Sequence, residues 1–547
     1  MRSIRISYLW ALAMAVAAAQ APVINSVVNA ASGILPGLPN AGIAQGAIFL
    51  IVGSNLGPGT ISIAQNAFQN TTLSGTSASI TVNGTTVAPL MYYTSAGQVS
   101  ALLPSNTPAG TGTITVTYNN QTSAKAAITV VTSNLGIFTV TSDGQGAGIV
   151  TNADYSLVSV TKAANCGGPY TTCGAANPGD TLILWATGLG PVSSSDASGA
   201  GLGVNMPNVP LQLWLGGVQA TVLYQGRSGC CIGEDQIVFS VPANVPTGCA
   251  VPLAVQISNQ ISNYTVMPVA ASGRTCTPTN PIFTPSVVQQ LTTSSGPFAF
   301  GQIKLDRQPN FNTNGPGSNG YTDTGKADFS SFSVPSAVQP FIVSYNDPSP
   351  PGTCVVYNSR NGQSGDPTTQ IRSLDAGAGI KVTGPNGSQN IAVNGNQATL
   401  APGTFLSPGS YTASGTGGAD IGAFSAPFTI PVPPTLTSPA SGPNIPVTRA
   451  NGMTLTWSGG TPNSIVQISG ENSTDNTNSN GASFTCYALG SAGTFTIPPS
   501  VLLALPAGPN GGWSFTPTTG SIAFSAPGLG IGIIESSYNT PISTTLQ

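Results

Sequence analysis

The sequence predicts an all-β chain of tandem sandwich modules, and three observations predict it. One stretch occurs twice. Val52-Gly53-Ser54-Asn55-Leu56-Gly57-Pro58 returns 133 residues later as Trp185-Ala186-Thr187-Gly188-Leu189-Gly190-Pro191, each copy preceded by an apolar run. Duplication at a long, fixed offset marks a repeated folding unit. The composition is the second observation. Only 5% of residues are charged, while 67 Gly and 46 Pro punctuate a chain that is 40% apolar. A soluble domain typically carries about 25% charge. The third is the pattern between the turns: short β-branched runs, with no long amphipathic helix.

The elements follow in chain order. Residues 1–19 have the form of a secretory signal peptide. Arg2 and Arg5 form a positive start, Tyr8 to Val16 an apolar core, and Ala17-Ala18-Ala19 a small-residue cleavage site before Gln20. That core is well short of the ~20 residues a spanning helix needs, and no later run is long and apolar enough. Residues 22–132 form the first repeat, with strands expected at Ile48–Val52, Ala78–Val82, Val87–Tyr93, Gln98–Leu103, Gly112–Tyr118 and Ala126–Val131. Asn83-Gly84, Pro108-Ala109-Gly110 and Asn119-Asn120 supply the turns. Residues 133–175 connect the repeats, with Gly136–Val140 and Ala147–Val150 able to pair as a hairpin.

Residues 176–276 form the second repeat. Val82-Asn83-Gly84 becomes Leu215-Gly216-Gly217, and Gln98–Pro104 becomes Gln236–Pro242 at an offset five residues longer. The extra residues hold Cys230 and Cys231. Residues 281–431 are expected to form a further sandwich, with strands at Phe298–Leu305, Phe341–Tyr345, Thr353–Tyr357, Ile380–Val382, Tyr411–Ala413 and Ala423–Ile430. Pro431-Val432-Pro433-Pro434 is a stiff linker. Residues 435–547 complete the chain as a C-terminal Ig-like sandwich, with a short helical turn near Val501–Leu505.

Eight cysteines in a secreted chain point to disulfides. Cys166 and Cys173 are placed for a small loop staple. If Asp235–Val241 and Ala250–Ser258 were antiparallel neighbours, Cys231 and Cys249 would lie roughly 20 Å apart, too far for a bridge. That favours Cys249 with Cys276, leaving Cys230 and Cys231 as a strained vicinal pair or two free thiols. Cys354 and Cys486 sit in strand-like runs and are expected as buried small apolar residues.

The repeated Val52–Gly57 pattern followed by Val82-Asn83-Gly84 resembles the IPT/TIG branch of immunoglobulin-like domains. More closely, Pro22–Ser32, Gly136-Ile137-Phe138, Gly144–Ala147 and Ala186–Pro191 resemble a family of uncharacterised secreted bacterial proteins with tandem domains of this type. Gly229-Cys230-Cys231 with Asp235-Gln236-Ile237 resembles a subset of it. The resemblance implies secretion and Ig-like folds. It implies no activity and supplies no catalytic residues.

The chemistry is narrow. The chain has no histidine, which removes Ser-His-Asp and Cys-His catalysis and His-ligated metal sites. Net charge is −3 with no basic patch, so nucleic-acid binding is not expected. Asp323-Thr324-Gly325 matches one half of an aspartic-protease pair, without a second copy, and is expected to be a turn. Ser159-Val160-Thr161-Lys162 matches Ser-x-x-Lys without its companion motifs. Glu234 and Asp235 beside Cys230 and Cys231 would hold a soft metal if the thiols were free, but an oxidised structural loop is the expected state. Asn476–Gly481 has the outline of a calcium loop without acidic ligands. Trp185, Trp214, Trp457, Trp513, Tyr92 and Tyr93 would stack on sugars if exposed; for Trp185 and Trp214 core packing is expected. No cofactor and no catalytic residue is assigned. The expected role is a non-enzymatic cell-surface or extracellular structural or adhesion component. The first alternative is a polysaccharide-binding protein. The second, a carboxylate-based glycan-active enzyme, would need two acids facing each other across a cleft. Edge-to-edge self-association is a further expectation, because so few charges guard the sheet edges.

Overall fold

The structure is a computed structural model. It describes residues 20–547 except 170, 198, 200, 294–295, 310–320, 360–366, 401–404, 440–443, 463 and 475–479. The expected signal peptide, and most of the Asn476–Gly481 loop, lie outside the described residues. Among the described residues the fold is all-β, 49% strand and 6% helix. No helix among the described residues is long and apolar enough to cross a membrane.

The first repeat is a two-sheet sandwich. One sheet has the order β1 (Val23–Asn29), β2 (Ile48–Ser54), β6 (Gln98–Leu102), β5 (Leu90–Thr94). The other has β8 (Ala126–Val131), β7 (Gly110–Tyr118), β3 (Thr76–Val82), with β4 (Thr85–Val87) beside β3. Inward residues alternate along β3, so Ala78, Ile80 and Val82 meet Phe49, Ile51 and Val99 in one core. Asn83 and Gly84 both have positive φ, 48° and 79°, as the tight β3–β4 hairpin requires.

The second repeat reproduces this with one change. Its strands are β9 (Thr181–Thr187), β10 (Leu211–Leu215), β11 (Val218–Arg227), β12 (Asp235–Ser240), β13 (Gly248–Ile257) and β14 (Thr265–Val269). β11 is continuous where the first repeat has the separate β4 and β5. It pairs with β10 at its start and with β12 at its end, which joins the two sheets. By the 133-residue offset, Val222 stands where the first repeat has Pro89. Proline has no N–H to donate to a ladder and so breaks the first strand. In the connector, Thr139 pairs with Gly148, and Val140 N–H donates to Ala147 O at 3.0 Å.

The C-terminal half departs from the expected order. Its main strands are β15 (Phe298–Pro309), β16 (Tyr321–Ser333), β17 (Thr353–Asn358), β18 (Thr369–Ser373), β19 (Gly379–Gly384), β20 (Gly387–Ala392), β21 (Gly409–Gly415), β22 (Phe424–Ile430), β23 (Met453–Ser458), β24 (Ile465–Ser473), β25 (Gly481–Leu489), β26 (Thr494–Ile497), β27 (Gly508–Thr518), β28 (Ile531–Tyr538) and β29 (Thr540–Leu546). One large sheet runs β17-β25-β24-β27-β28-β15-β16-β18, with β29 beside β27. Its strands come from both sides of the Pro431–Pro434 linker. β15 and β28 pair in parallel from Phe300↔Ile531 to Arg307↔Tyr538, and β17 pairs with β25. The linker thus separates two stretches of chain that share one sheet. The sheet β20-β19-β21-β22 shares a core with its β15–β16–β28 part through Ile303, Leu305, Phe329, Phe424 and Ile534. β23 and β26, with the short helix Pro499–Leu503, share a core with its β24–β25–β27 part through Leu455, Trp457, Ile468, Phe484 and Phe515.

Three expectations need correction. Phe341–Tyr345 is not a strand: Phe341 closes a 3-10 turn and Ile342–Asn346 is a helix. A five-residue apolar run fits either state, and here Ile342 and Val343 are buried in a cluster with Cys249, Cys276 and Ile531. Cys354 and Cys486 form a disulfide, with Cα atoms 4.0 Å apart, because β17 and β25 place them directly opposite. The expected domain boundary at Pro431–Pro434 falls between them in the chain. Finally, β12 and β13 are not neighbours, since β11 and β10 lie between them. Cys249 is bonded to Cys276 because β13 and β14 are antiparallel and Gly248 pairs with Val269, so the end of the last strand lies beside Cys249.

Candidate functional site

Two places gather polar chemistry. The first is the joint between the repeats. The Cys230-Cys231 loop replaces the short Ser95–Gly97 turn of the first repeat, and its tip docks on that repeat. Ile232 packs with Ile48, Leu90 and Leu102. Thr187 Oγ1 donates to Gly233 O at 2.7 Å and accepts the Ile48 N–H at 2.9 Å. Asn29 Nδ2 donates to Thr187 O at 3.2 Å. Under this joint Arg227 and Asp235 form an ion pair with side chains 4% and 0% exposed. Arg227 Nη2 also donates to Gly190 O at 2.6 Å, and Asp235 Oδ2 accepts the Leu189 N–H at 2.7 Å. Gly46 of the first repeat, at φ 73°, leaves space for the guanidinium, which a Cβ would strike. Ser105 donates twice more across the joint to Asp196, from N–H at 2.7 Å and Oγ at 2.8 Å.

Burial pushes the Asp235 carboxyl up, opposed by the Arg227 guanidinium and the Leu189 amide. Burial, and then the Asp235 charge, push Glu234 up as well. Cys230, Cys231 and Glu234 hold their ligand atoms within 4.8 Å of one another. The two sulfurs are bonded to each other, as are Cys166 and Cys173, so no thiolate is offered to a metal in this state.

The second place is a cleft of 620 Å³ on the large sheet. β27 and β28 pair only at Thr518↔Ser537 and otherwise diverge, which opens the cleft between them. Outward-facing positions of five strands line it, among them Tyr487, Gln467, Thr516, Glu535, Lys304 and Asp306. Glu535 accepts from Gln302 Nε2 at 3.0 Å and from Ser521 Oγ. Asp306 accepts from Ser537 Oγ and lies 3.7 Å from Lys304 Nζ. Burial pushes the Tyr487 phenol far above its ordinary range, with Tyr357, Glu535 and Asp347 adding, so it remains a neutral hydroxyl. Asp347, near the rim, is pushed up to about 7 by burial, against the Asn280 and Thr279 N–H groups that it accepts at 2.8 Å. No sequence signal marked this cleft.

The motifs singled out in the sequence go elsewhere. Asp323 is not in a turn. It is a fully buried strand residue whose two carboxylate oxygens each take an Arg307 N–H at 2.7 Å, and it also accepts the Leu406 N–H. Ser159 is buried, its hydroxyl bonded to Thr161 O, and Lys162 is exposed. Trp457 and Trp513 are core residues; Trp185 and Trp214 are half-buried in strands. Tyr92 is exposed at 38% and packs on Phe68 and Tyr93, at centroid distances of 5.3 and 5.6 Å.

Neither a protein-family model nor a curated protein matches the chain. Among solved structures it aligns with a gamma-CGTase from alkalophilic Bacillus clarkii at 12% identity, over 65% of this chain and 38% of that one, with a TM-score of 0.16. It also aligns with SGBP-B from a complex xyloglucan utilization locus in Bacteroides uniformis (11% identity, 75% and 86% covered, TM-score 0.15). Domains 5–6 of the S-layer protein SbsC give 12% identity, 46% and 100% covered, and a TM-score of 0.15. The chain spans well under half the length of the first of these. Similarity at this level carries no argument about what the chain does.

Proposed function

We propose that this is a secreted, non-enzymatic modular protein acting as a cell-surface or extracellular structural or adhesion component, its first two modules being Ig-like domains of the IPT/TIG type. The observation that carries the reading is that the modules are clamped to one another. The Cys230-Cys231 loop of one repeat is seated on the other above a buried ion pair. Residues of the second repeat, Ala254, Tyr264 and Val266, share a core with Trp457 and Phe515 of the C-terminal half. Such coupling suits a load-bearing or spacing element more than a flexible string of binding domains. The clustered carboxylates are hydrogen-bonded to neighbouring hydroxyl, amide or guanidinium groups, as structural carboxylates are.

Expression of the full chain in a bacterial host with a Sec pathway tests the reading. Expected are a mature protein starting at Gln20 and its retention on washed cells or in extracellular matrix. An unprocessed protein held in the cytoplasm would refute it.

A further inference from the structure

We propose that the cleft on the large sheet binds a short stretch of neutral polysaccharide. This goes beyond the structural reading and stands independently of it. A 620 Å³ cleft is the size of a small-ligand site. The character of its walls selects the occupant. Gln467, Thr516 and the other hydroxyl and amide side chains can each donate and accept, as a sugar's hydroxyls do. Tyr487 adds a ring whose hydroxyl burial favours in its neutral form.

Asp306 and Glu535 retain acceptor capacity for hydroxyl donors. With Lys304 as their cationic neighbour they leave the cleft with an acidic excess, which disfavours uronate or sulfated chains. A peptide fits poorly. The floor strands β24 and β27 are paired on both sides, so no free edge is offered for strand addition.

The test uses the mature chain, residues 20–547, in affinity electrophoresis through gels containing a β-glucan, an arabinoxylan, a galactomannan or, as an acidic control, a pectate. Retardation is expected in at least one neutral gel, unchanged in high salt, and absent in the pectate gel. Thr516→Trp, which fills the half-exposed cleft floor, should weaken binding about tenfold or more. Gln467→Ala, which adds no bulk, should weaken it less. Tyr92→Ala, in the first repeat, should leave it intact. No retardation in any neutral gel, binding indifferent to Thr516→Trp, or binding only to the acidic control would overturn the proposal. A Thr516→Trp chain that loses glycan binding yet stays on the cell surface would separate this site from the structural role.

Discussion

The two repeats share a strand plan, yet they treat the same point of the fold in opposite ways. In the first, the signature loop meets solvent at its start, while Leu56 and Gly57 turn inward. Ser54 is exposed, the Leu56 N–H is satisfied by Ala96 O at 3.0 Å in a plain three-residue turn, and Thr94 bonds Thr76. In the second, the equivalent of Ser54 is Thr187, buried under the first repeat. The equivalent of Leu56 is Leu189, whose N–H is taken by the Asp235 carboxylate, and the equivalent of Thr94 is Arg227. A neutral turn has become a buried ion pair under a docked loop. The repeat signature is therefore a backbone device used twice, and only the second copy was turned into a joint.

The sharpest way to break this comparison is to remove one charge. Asp235→Ala leaves the Arg227 guanidinium buried without its partner, which should cost roughly 3–5 kcal/mol. Arg227→Met combined with Asp235→Leu removes both charges and should cost far less. Thr94→Ala at the equivalent point of the first repeat should cost about 1 kcal/mol, the scale of one neutral hydrogen bond. Urea midpoints at unchanged slope measure all three. If Asp235→Ala cost no more than Thr94→Ala, the joint would not be the stabilising element described.

A second, smaller effect concerns the strand that joins the sheets. Val222→Pro puts into β11 the residue the first repeat carries at Pro89. It should cost on the order of 3 kcal/mol and lower amide protection along β11. Pro89→Val should change stability by no more than about 1 kcal/mol, because the β4–β5 break is already accommodated. Equal costs for both substitutions would mean that the single joined sheet of the second repeat is not what the continuous strand sustains.

The repeats were legible because their information is local. Asn83-Gly84 turns, alternating runs such as Thr76–Val82 and the Gly-rich signature each specify structure within a few residues. The C-terminal half was not, because its large sheet is built from pairings such as Phe300 with Ile531, and a parallel neighbour that distant leaves no mark on either strand. The same blindness hid the Cys354–Cys486 bond and the burial of Asp323, whose partner Arg307 lies across the β15–β16 pair. The cleft was invisible for a related reason. Each strand contributes only alternate polar residues, such as Gln467 and Ser469, which look like an ordinary solvent face until five strands are set side by side.

The smallest expected effect tests the electrostatics of the docked loop itself. Burial and the Asp235 charge raise the Glu234 carboxyl above its unfolded value. The folded state then holds this proton more tightly than the unfolded one, so the contribution is fully present below the unfolded carboxylate range. It is lost as pH rises through the folded value. Stability should therefore fall modestly from mildly acidic toward neutral pH, and Glu234→Gln, which cannot ionise, should remove that part of the slope. The Ser95–Gly97 turn of the first repeat carries no titratable group, so the first repeat offers no counterpart to this dependence. Urea midpoints for both chains between pH 4 and pH 7 decide it: parallel profiles would mean that Glu234 is hydrated in the folded state, and that the loop is less closely seated on the first repeat than its contacts with Ile48 and Leu102 indicate.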